Sequence, residues 1–211
     1  MEDNKSILIV NIAWSNNGWS GFDRKGFDDR EKFNFQYVKE HGLAHEWWNF
    51  YEGFDDSYYY GYVPFTGNKP RHLDNSLVLF ISSDISRNKH YFIGFYNNAE
   101  YNREMFDLHK TFEQIITDPI VFKLETNKEE LRGNMKAFFK AKKSTSTVFH
   151  RDAYVEVEPK DIGVKAIRQW KFHYIKRDKI DLIINLLNKA KIKHEQLIQQ
   201  LDDNQKEKVR E

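Results

Sequence analysis

The sequence predicts an α+β fold built on a curled sheet. Many short β-branched or aromatic runs punctuated by turn residues, few helical patterns before residue 177, and one long amphipathic helix at the end point that way. The first run, Ser6 to Ala13, is short, apolar and β-branched, so a buried strand is expected, closed by the turn cluster Ser15-Asn16-Asn17-Gly18. Residues 20–36, rich in Gly and Asp, read as a long surface loop, and Phe35 to Glu40 as a short strand or helical turn before Gly42. Tyr58 to Phe65 is β-like and Gly67 to Pro70 a turn. Ser76–Ser82 and Tyr91–Tyr96 bracket the polar turn Asp84–Lys89 and predict a hairpin, with Gly94 marking a bend or a close backbone approach. Met105, Phe106, Leu108, Phe112, Ile115 and Ile116 have helical spacing. Further strands are expected at Pro119–Leu124, Met135–Lys140 and Val164–Ile175, the last with Trp170 facing the core. Asp178 is placed to cap the terminal helix, whose apolar stripe runs through Ile180, Ile183, Ile184, Leu187, Ala190, Leu197, Ile198 and Leu201. Beyond Asp202 the chain is almost wholly charged or amide and reads as a linker.

A chain of 211 residues, 40% hydrophobic and 31% charged, can bury a core without staples. It has no Cys, which removes disulfides and thiolate metal sites and fits a reducing, cytoplasmic setting. No signal peptide or membrane span is expected, because the first apolar run, Ile7 to Ile12, is too short for either. Net charge is only +1, but the stretch from Lys136 to Lys179 is basic while the acidic clusters lie earlier. Such a half can hold phosphates in a chain that is neutral as a whole.

Four of the five tryptophans fall between Asn11 and Phe65, interleaved with amides, His45, Glu46 and glycines. Flat rings beside amide donors and acceptors suit a planar ligand with polar edges, of which a nucleobase is the leading example; the alternative is that the rings are core and their neighbours turn formers. Three other constellations are weaker. His41 and His45 have metal-pair spacing but lack the Glu of the H-E-x-x-H motif. Glu156-Val-Glu158-Pro-Lys160 with Asp152 loosely matches the acidic end of a metal-dependent nuclease. Neither a Walker A pattern nor a G-x-S-x-G elbow occurs.

Several blocks taken together resemble a known family: Asn11-Ile-Ala-Trp14 with Gly18-Trp19; Tyr37-Val38, His45-Glu46 and Asn49-Phe50; Tyr60-Gly61-Tyr62-Val63 with Phe65-Thr66-Gly67; Leu77–Phe80; Ile93–Glu100; and Asn134–Ala137. Over residues 6–176 they are similar to the N-terminal specificity domain of McrBC-type, modification-dependent restriction proteins, in the archaeal branch with a YTH/EVE-like fold. The resemblance implies a PUA-like mixed barrel over residues 1–176, flanked by helices. It implies a helix and linker over 177–211 leading toward an AAA+ motor domain, with a nuclease subunit as a further partner.

It implies, too, a non-catalytic, cofactor-free and monomeric module that binds methylated double-stranded DNA. Methyladenine is the favoured mark, flipped into an aromatic cage; a methylated-RNA reader and a nuclease domain are the rival readings. Trp14 and Trp19 are the expected cage walls, with Trp48 or Tyr60 as a further wall and Asn11 or Asn49 reading the base edge. Asn16 and Asn17 are further amides beside the tryptophans. Lys142, Lys143, Ser144, Thr145 and Ser146, with Arg168, are the expected phosphate contacts. The energetics are consistent with such a cage. Flipping costs a few kcal/mol, aromatic walls return roughly 1–3 kcal/mol per base, and a buried methyl adds about 0.8 kcal/mol.

Overall fold

The apolar run that opens the chain becomes the buried centre of the molecule. In the computed structural model, which describes residues 6–33, 36–41, 43–65, 69–70, 73, 75–84, 87–116, 118, 132–167 and 172–208, it forms β1 (Ile7–Ile12). This strand lies parallel to β3 (Ser76–Asp84) on one edge and antiparallel to β8 (Phe172–Tyr174) on the other. The predicted hairpin is present: β3 returns antiparallel as β4 (Lys89–Thr111). The far half of β4 pairs with β5 (Asn134–Lys142), and β5 with β2 (Tyr58–Gly61). Two short strands, β6 (Thr147–Val148) and β7 (Val155–Glu156), continue along the same edge of β4. The result is an eight-stranded mixed sheet in the order β2-β5-β4-β3-β1-β8, with β6 and β7 on β4. Among the described residues its hydrogen bonding leaves β2 and β8 as two ends.

The sheet is covered on both faces, which is why β1 and β3 are continuously apolar rather than alternating. Leu8, Val10, Ile12, Val78 and Phe80 point to one face, where Trp19, Trp47, Trp48 and Phe50 of the long β1–β2 connection pack on them. Ile9, Leu77, Leu79 and Ile81 point to the other. There they meet Phe149, Val157, Ile162 and the first half of α4 (Ile180–Lys208), through Ile183, Leu187 and Ala190. Gly94 is a close-approach glycine, as expected: a Cβ there would lie 2.5 Å from the Thr147 carbonyl and 2.8 Å from the Phe50 ring. No helix among the described residues is long and apolar enough to cross a membrane.

Four local expectations are corrected, and one that stood between two forms is decided. Residues 20–36 are no plain surface loop: they hold α1 (Arg24–Asp28) and a 3-10 turn at Arg30–Lys32, and bury Asp23, Phe27 and Phe33. Phe35 to Glu40 resolves to a helix, α2 (Gln36–His41). Residues 103–111 are strand, not helix, and only Phe112–Ile115 form α3, closed by a Thr111–Gln114 capping box. Register shifts between Tyr101 and Phe106 and between Asp107 and Thr111, with positive φ at Met105 and His109, break the two-residue alternation and imitate helical spacing. From Val164 to Ile175 only Phe172–Tyr174 is assigned as strand; Gln169, Trp170 and Lys171, like Pro119–Leu124 and Gly67, lie outside the described residues. Asp178 does not cap α4; it sits inside a 3-10 turn, Arg177–Lys179, that leads into the helix.

Candidate functional site

Where β1 ends, every polar group of the turn has a structural job. Ser15 Oγ donates to Asn17 Oδ1 at 2.5 Å and accepts from the Trp19 backbone N–H at 3.2 Å. Gly18 and Trp19 follow at φ +72° and +57°, turning the chain back on itself. The Trp19 indole N–H then donates to the Ala13 carbonyl, and that of Trp47 to the Trp14 carbonyl, both at 2.8 Å. Two carbonyls that have left the sheet ladder are thus satisfied by indoles, which accounts for Trp rather than Phe at both positions. Asp23 accepts from the Asn16 backbone N–H (2.5 Å) and side chain (3.0 Å) while capping α1 at Gly26 (2.9 Å).

This framework leaves a cleft of about 300 Å³ at the end of β1 and β3. Trp14, Asn16, Lys25, Lys32, Asp84 and Arg151 line it. Trp14 is 6% exposed and is held by the edges of Trp19 and Tyr154, at ring-centroid distances of 5.9 and 6.2 Å. The Arg151 guanidinium lies over the indole at 5.4 Å. Asp84, the last residue of β3, is 5% exposed; its Oδ2 is 3.6 Å from Arg87 Nε. Lys32 lies 2.6 Å from Asp29, and this hydrogen bond holds the Asp29 carboxyl below its ordinary range. Burial pushes the Tyr154 phenol well up, with Arg151 acting weakly the other way, so it stays a neutral wall. An indole floor, a buried carboxylate and a rim of Lys25, Arg151 and the Lys32–Asp29 pair are thereby gathered in one recess.

Of the six expected cage residues, only Trp14 lines this cleft. Trp19 is fully buried rather than projecting at a rim. Trp48 is buried with its ring 5.1 Å from Phe112. Tyr60 lies on β2 and packs on Phe54 and Phe106. Asn49 is fully buried and clamps Tyr62, accepting from its N–H at 2.8 Å and donating to its carbonyl at 3.0 Å. Asn11 is buried, donates to the Ile167 carbonyl at 3.2 Å, and has an Oδ1 with no hydrogen-bond partner among the described residues. Asn17 secures the turn by donating to the Gly21 and Phe22 carbonyls. The cleft's other walls carried little signal in the sequence: Asp84 reads as a turn opener, Lys25 and Lys32 as surface charges, and Arg151 as one member of a basic stretch.

The expected phosphate loop lies elsewhere. Lys142 ends β5 and Lys143–Thr145 form a 3-10 turn. Lys143 donates to the Glu52 carbonyl at 2.9 Å and sits over the Tyr59 ring, and Thr145 donates to the Lys142 carbonyl at 3.4 Å. Ser144 is exposed, whereas Ser146 is buried and accepts from the Asn97 backbone N–H at 3.4 Å. Arg168 lies outside the described residues. Lys142 and Thr145, with Lys140, Tyr58, Asn97 and Asn98, line a second cleft of about 580 Å³ beside Asn75, at the start of β3. Lys140 and Lys142 alternate with the buried Phe139 and Ala141; Lys140 is half-buried and Lys142 exposed. The nine-residue β3 separates the two clefts by roughly 25–30 Å at strand rise. A nucleotide whose base sat on Trp14 would have its own phosphates out of reach of this loop.

The rival constellations do not assemble. His45 lies between the rings of Tyr62 (4.8 Å) and Phe112 (4.7 Å). Glu156 pairs with Lys89 at 2.6 Å and Glu158 with Lys160 at 2.5 Å, while Asp152 is exposed near His150. Among the described residues no three His, Asp or Glu side chains come together in a group that could hold a metal. Compared with family models, with curated proteins and with solved structures, the chain has no match.

Proposed function

We propose that this chain is a nucleic-acid-binding module that holds a methylated base, turned out of its stack, in the Trp14 cleft. The observation that carries the reading is the recess itself: an indole floor and a buried carboxylate wall beneath a rim of Lys25, Lys32 and Arg151. Its volume of about 300 Å³ lies at the small end of ligand pockets, roughly 300–1,000 Å³, and suits a base without its sugar. Arg151 lies over the indole. An incoming base takes its place on the ring, and the guanidinium turns toward the backbone phosphates together with Lys25 and Lys32. The stacking gained on Trp14 offsets the cost of extrusion, and a methyl group adds apolar contact.

The reading follows the resemblance in taking duplex DNA as the target and methyladenine as the mark. The α+β fold, an open mixed sheet with a long terminal helix, supports the reading only at that level; the closed YTH/EVE-like barrel is what the resemblance adds. In the same reading the exposed second half of α4 leads toward an AAA+ motor that works with a nuclease subunit.

Fluorescence anisotropy tests the proposal, with matched duplexes carrying N6-methyladenine, 5-methylcytosine or no mark, and the same methylated sequence as single-stranded RNA, at two stated salt concentrations. The methyladenine duplex should bind most tightly, and Trp14→Leu should remove most of that preference while the protein remains folded by circular dichroism. Equal affinity for every duplex, unchanged by Trp14→Leu, overturns the reading. Preference for the RNA strand transfers the same site to a methylated-RNA reader.

A further inference from the structure

We infer that the turn carrying Arg151 is a pH-sensitive latch on the Trp14 cleft, closed by the neutral imidazoles of His150 and His194 and released when they gain a second proton. The inference goes beyond the proposed function, because it concerns how the rim is held and not what the cleft holds. The 3-10 turn Arg151–Ala153 supplies two contacts of the cleft. Arg151 lies over the Trp14 ring at 5.4 Å, and Tyr154, which closes the turn, meets that ring edge-on at 6.2 Å. The turn has few bonds of its own: the Ala153 N–H donates to the His150 carbonyl at 2.8 Å, and the Tyr154 N–H to the Arg151 carbonyl at 3.3 Å. The leading N–H groups of so short a turn have no partner within it. Two imidazoles supply what is missing. His194, on α4, accepts from the His150 backbone N–H at 2.9 Å through Nδ1, and His150 accepts from the Asp152 N–H at 3.3 Å through its own Nδ1.

Accepting fixes the protonation state. A ring nitrogen that accepts carries no proton, whereas both nitrogens of an imidazolium are donors. Protonation of His194 therefore sets N–H against N–H and leaves the His150 amide without its acceptor. Protonation of His150 removes the second bond, but it gains the Asp152 carboxylate, whose Oδ2 lies 3.7 Å from Nδ1. His194 is thus the more sensitive half of the latch. The elements packed around it carry Lys191 and Glu195 on α4, His150, Arg151 and Asp152 on the turn, and Glu156 on β7. Glu156 is paired with Lys89 at 2.6 Å. Burial disfavours a charge on His194, His150 disfavours it further, and Glu195 partly favours it. The latch is therefore closed above the ordinary imidazole value, near 6.5, and opens as pH falls through the lower folded value.

Amide hydrogen exchange, followed residue by residue by NMR and corrected for the intrinsic effect of pH, tests the latch on the parent chain and on His194→Gln. The Gln amide oxygen can accept from the same N–H but does not titrate. In the parent, protection of the His150 amide should fall about 3- to 10-fold between pH 7.5 and pH 5.0, the size of one neutral hydrogen bond. Amides in β1 and β3 should keep their protection. The Trp14 indole N–H signal, assigned as the one missing in Trp14→Leu, should shift over the same range as Arg151 leaves the ring. Both changes should shrink in His194→Gln. Protection at His150 that does not respond to pH overturns the inference, as does an unchanged fall in a folded His194→Gln. A fall shared equally by the β1 and β3 amides also overturns it, since that marks unfolding of the whole chain. The parent series stands even if the variant does not fold. Base preference is measured separately, so the latch and the base-holding reading fail independently.

Discussion

Two clefts lie at opposite ends of β3, and they are built on different principles. At Asp84 the strand runs into a recess floored by an indole and shaped by buried groups, with its hydrogen bonds already assigned. At Asn75 it opens beside lysines, amides, a tyrosine and Glu100, and Lys140 lies over the Tyr58 ring at 4.3 Å. In the proposed function the first tells one planar ligand from another, because shape and fixed dipoles discriminate. The second sets Lys140 and Lys142 against Glu100 on a largely exposed surface, a mixed charge that does not sort planar ligands. Much of the second cleft is legible as a basic stretch, whereas the first depends on residues from four separate parts of the chain.

The largest effect should separate Trp19 from Trp14. Trp19 lies fully in the core behind the cleft, so Trp19→Ala should cost about 3–5 kcal/mol of stability and lower the melting temperature sharply. A variant that melts like the parent and loses only methyl preference would restore Trp19 as a cage wall. Asn49 comes next. Its clamp on Tyr62 is part-buried, and Asn49→Ala removes both of its hydrogen bonds to the Tyr62 backbone, worth about 1–3 kcal/mol. Urea unfolding should show that loss with no change in base preference beyond it.

The two rims differ next in their response to salt. Lys25→Ala with Lys32→Ala should flatten the dependence of log affinity on log salt by about one to two charges' worth, at ~0.9 per phosphate contact. Lys140→Ala with Lys142→Ala should leave both the slope and the methyl preference near the parent values. The opposite pattern would place the backbone at the far end of β3, beside the expected phosphate loop.

The smallest effect concerns α4. His194 Nδ1 accepts from the His150 backbone N–H at 2.9 Å, one residue before Arg151, and so ties the helix to the cleft rim. Burial lowers the His194 pKa, His150 lowers it further, and Glu195 partly raises it. The folded protein therefore holds His194 neutral more firmly than the unfolded chain does. Its contribution is complete above the unfolded value, near 6.5, and is lost as pH falls through the lower folded value. His173, lowered by burial and by Lys176, acts in the same direction. Urea midpoints at pH 7.5 and pH 5.0 should drop toward acid, and His194→Gln should reduce the drop without abolishing it. An identical drop in the variant would locate the pH dependence elsewhere.

Local patterning made the backbone plan legible. The runs at Ser6–Ala13, Ser76–Ser82 and Tyr91–Tyr96 and the stripe of α4 all appear close to where the sequence places them. The errors came where local chemistry overrode the pattern. Asn102 bonds to Met105 and Glu104, and Asp107 to the His109 N–H, which fits the breaks in the β4 alternation that gave residues 103–111 a helical look.

The sequence by itself determined an α+β chain with a buried first strand, a central hairpin and a long terminal helix, because periodicity and turn residues act over a few positions. It also determined that an aromatic-amide segment would follow the first strand. Which of those rings would be core and which would border a cleft was decided only by the tertiary structure. The surroundings of Trp14 come from Tyr91, Arg151 and Tyr154, more than seventy positions away, while Trp19 and Trp47 are spent on the carbonyls of the strand end itself. A Trp beside an Asn reads the same in either role. Burial and hydrogen-bond satisfaction are properties of the whole packed chain, so Asp84 acquires its place in a recess only once β3, the β1 turn and the Arg151 segment have met.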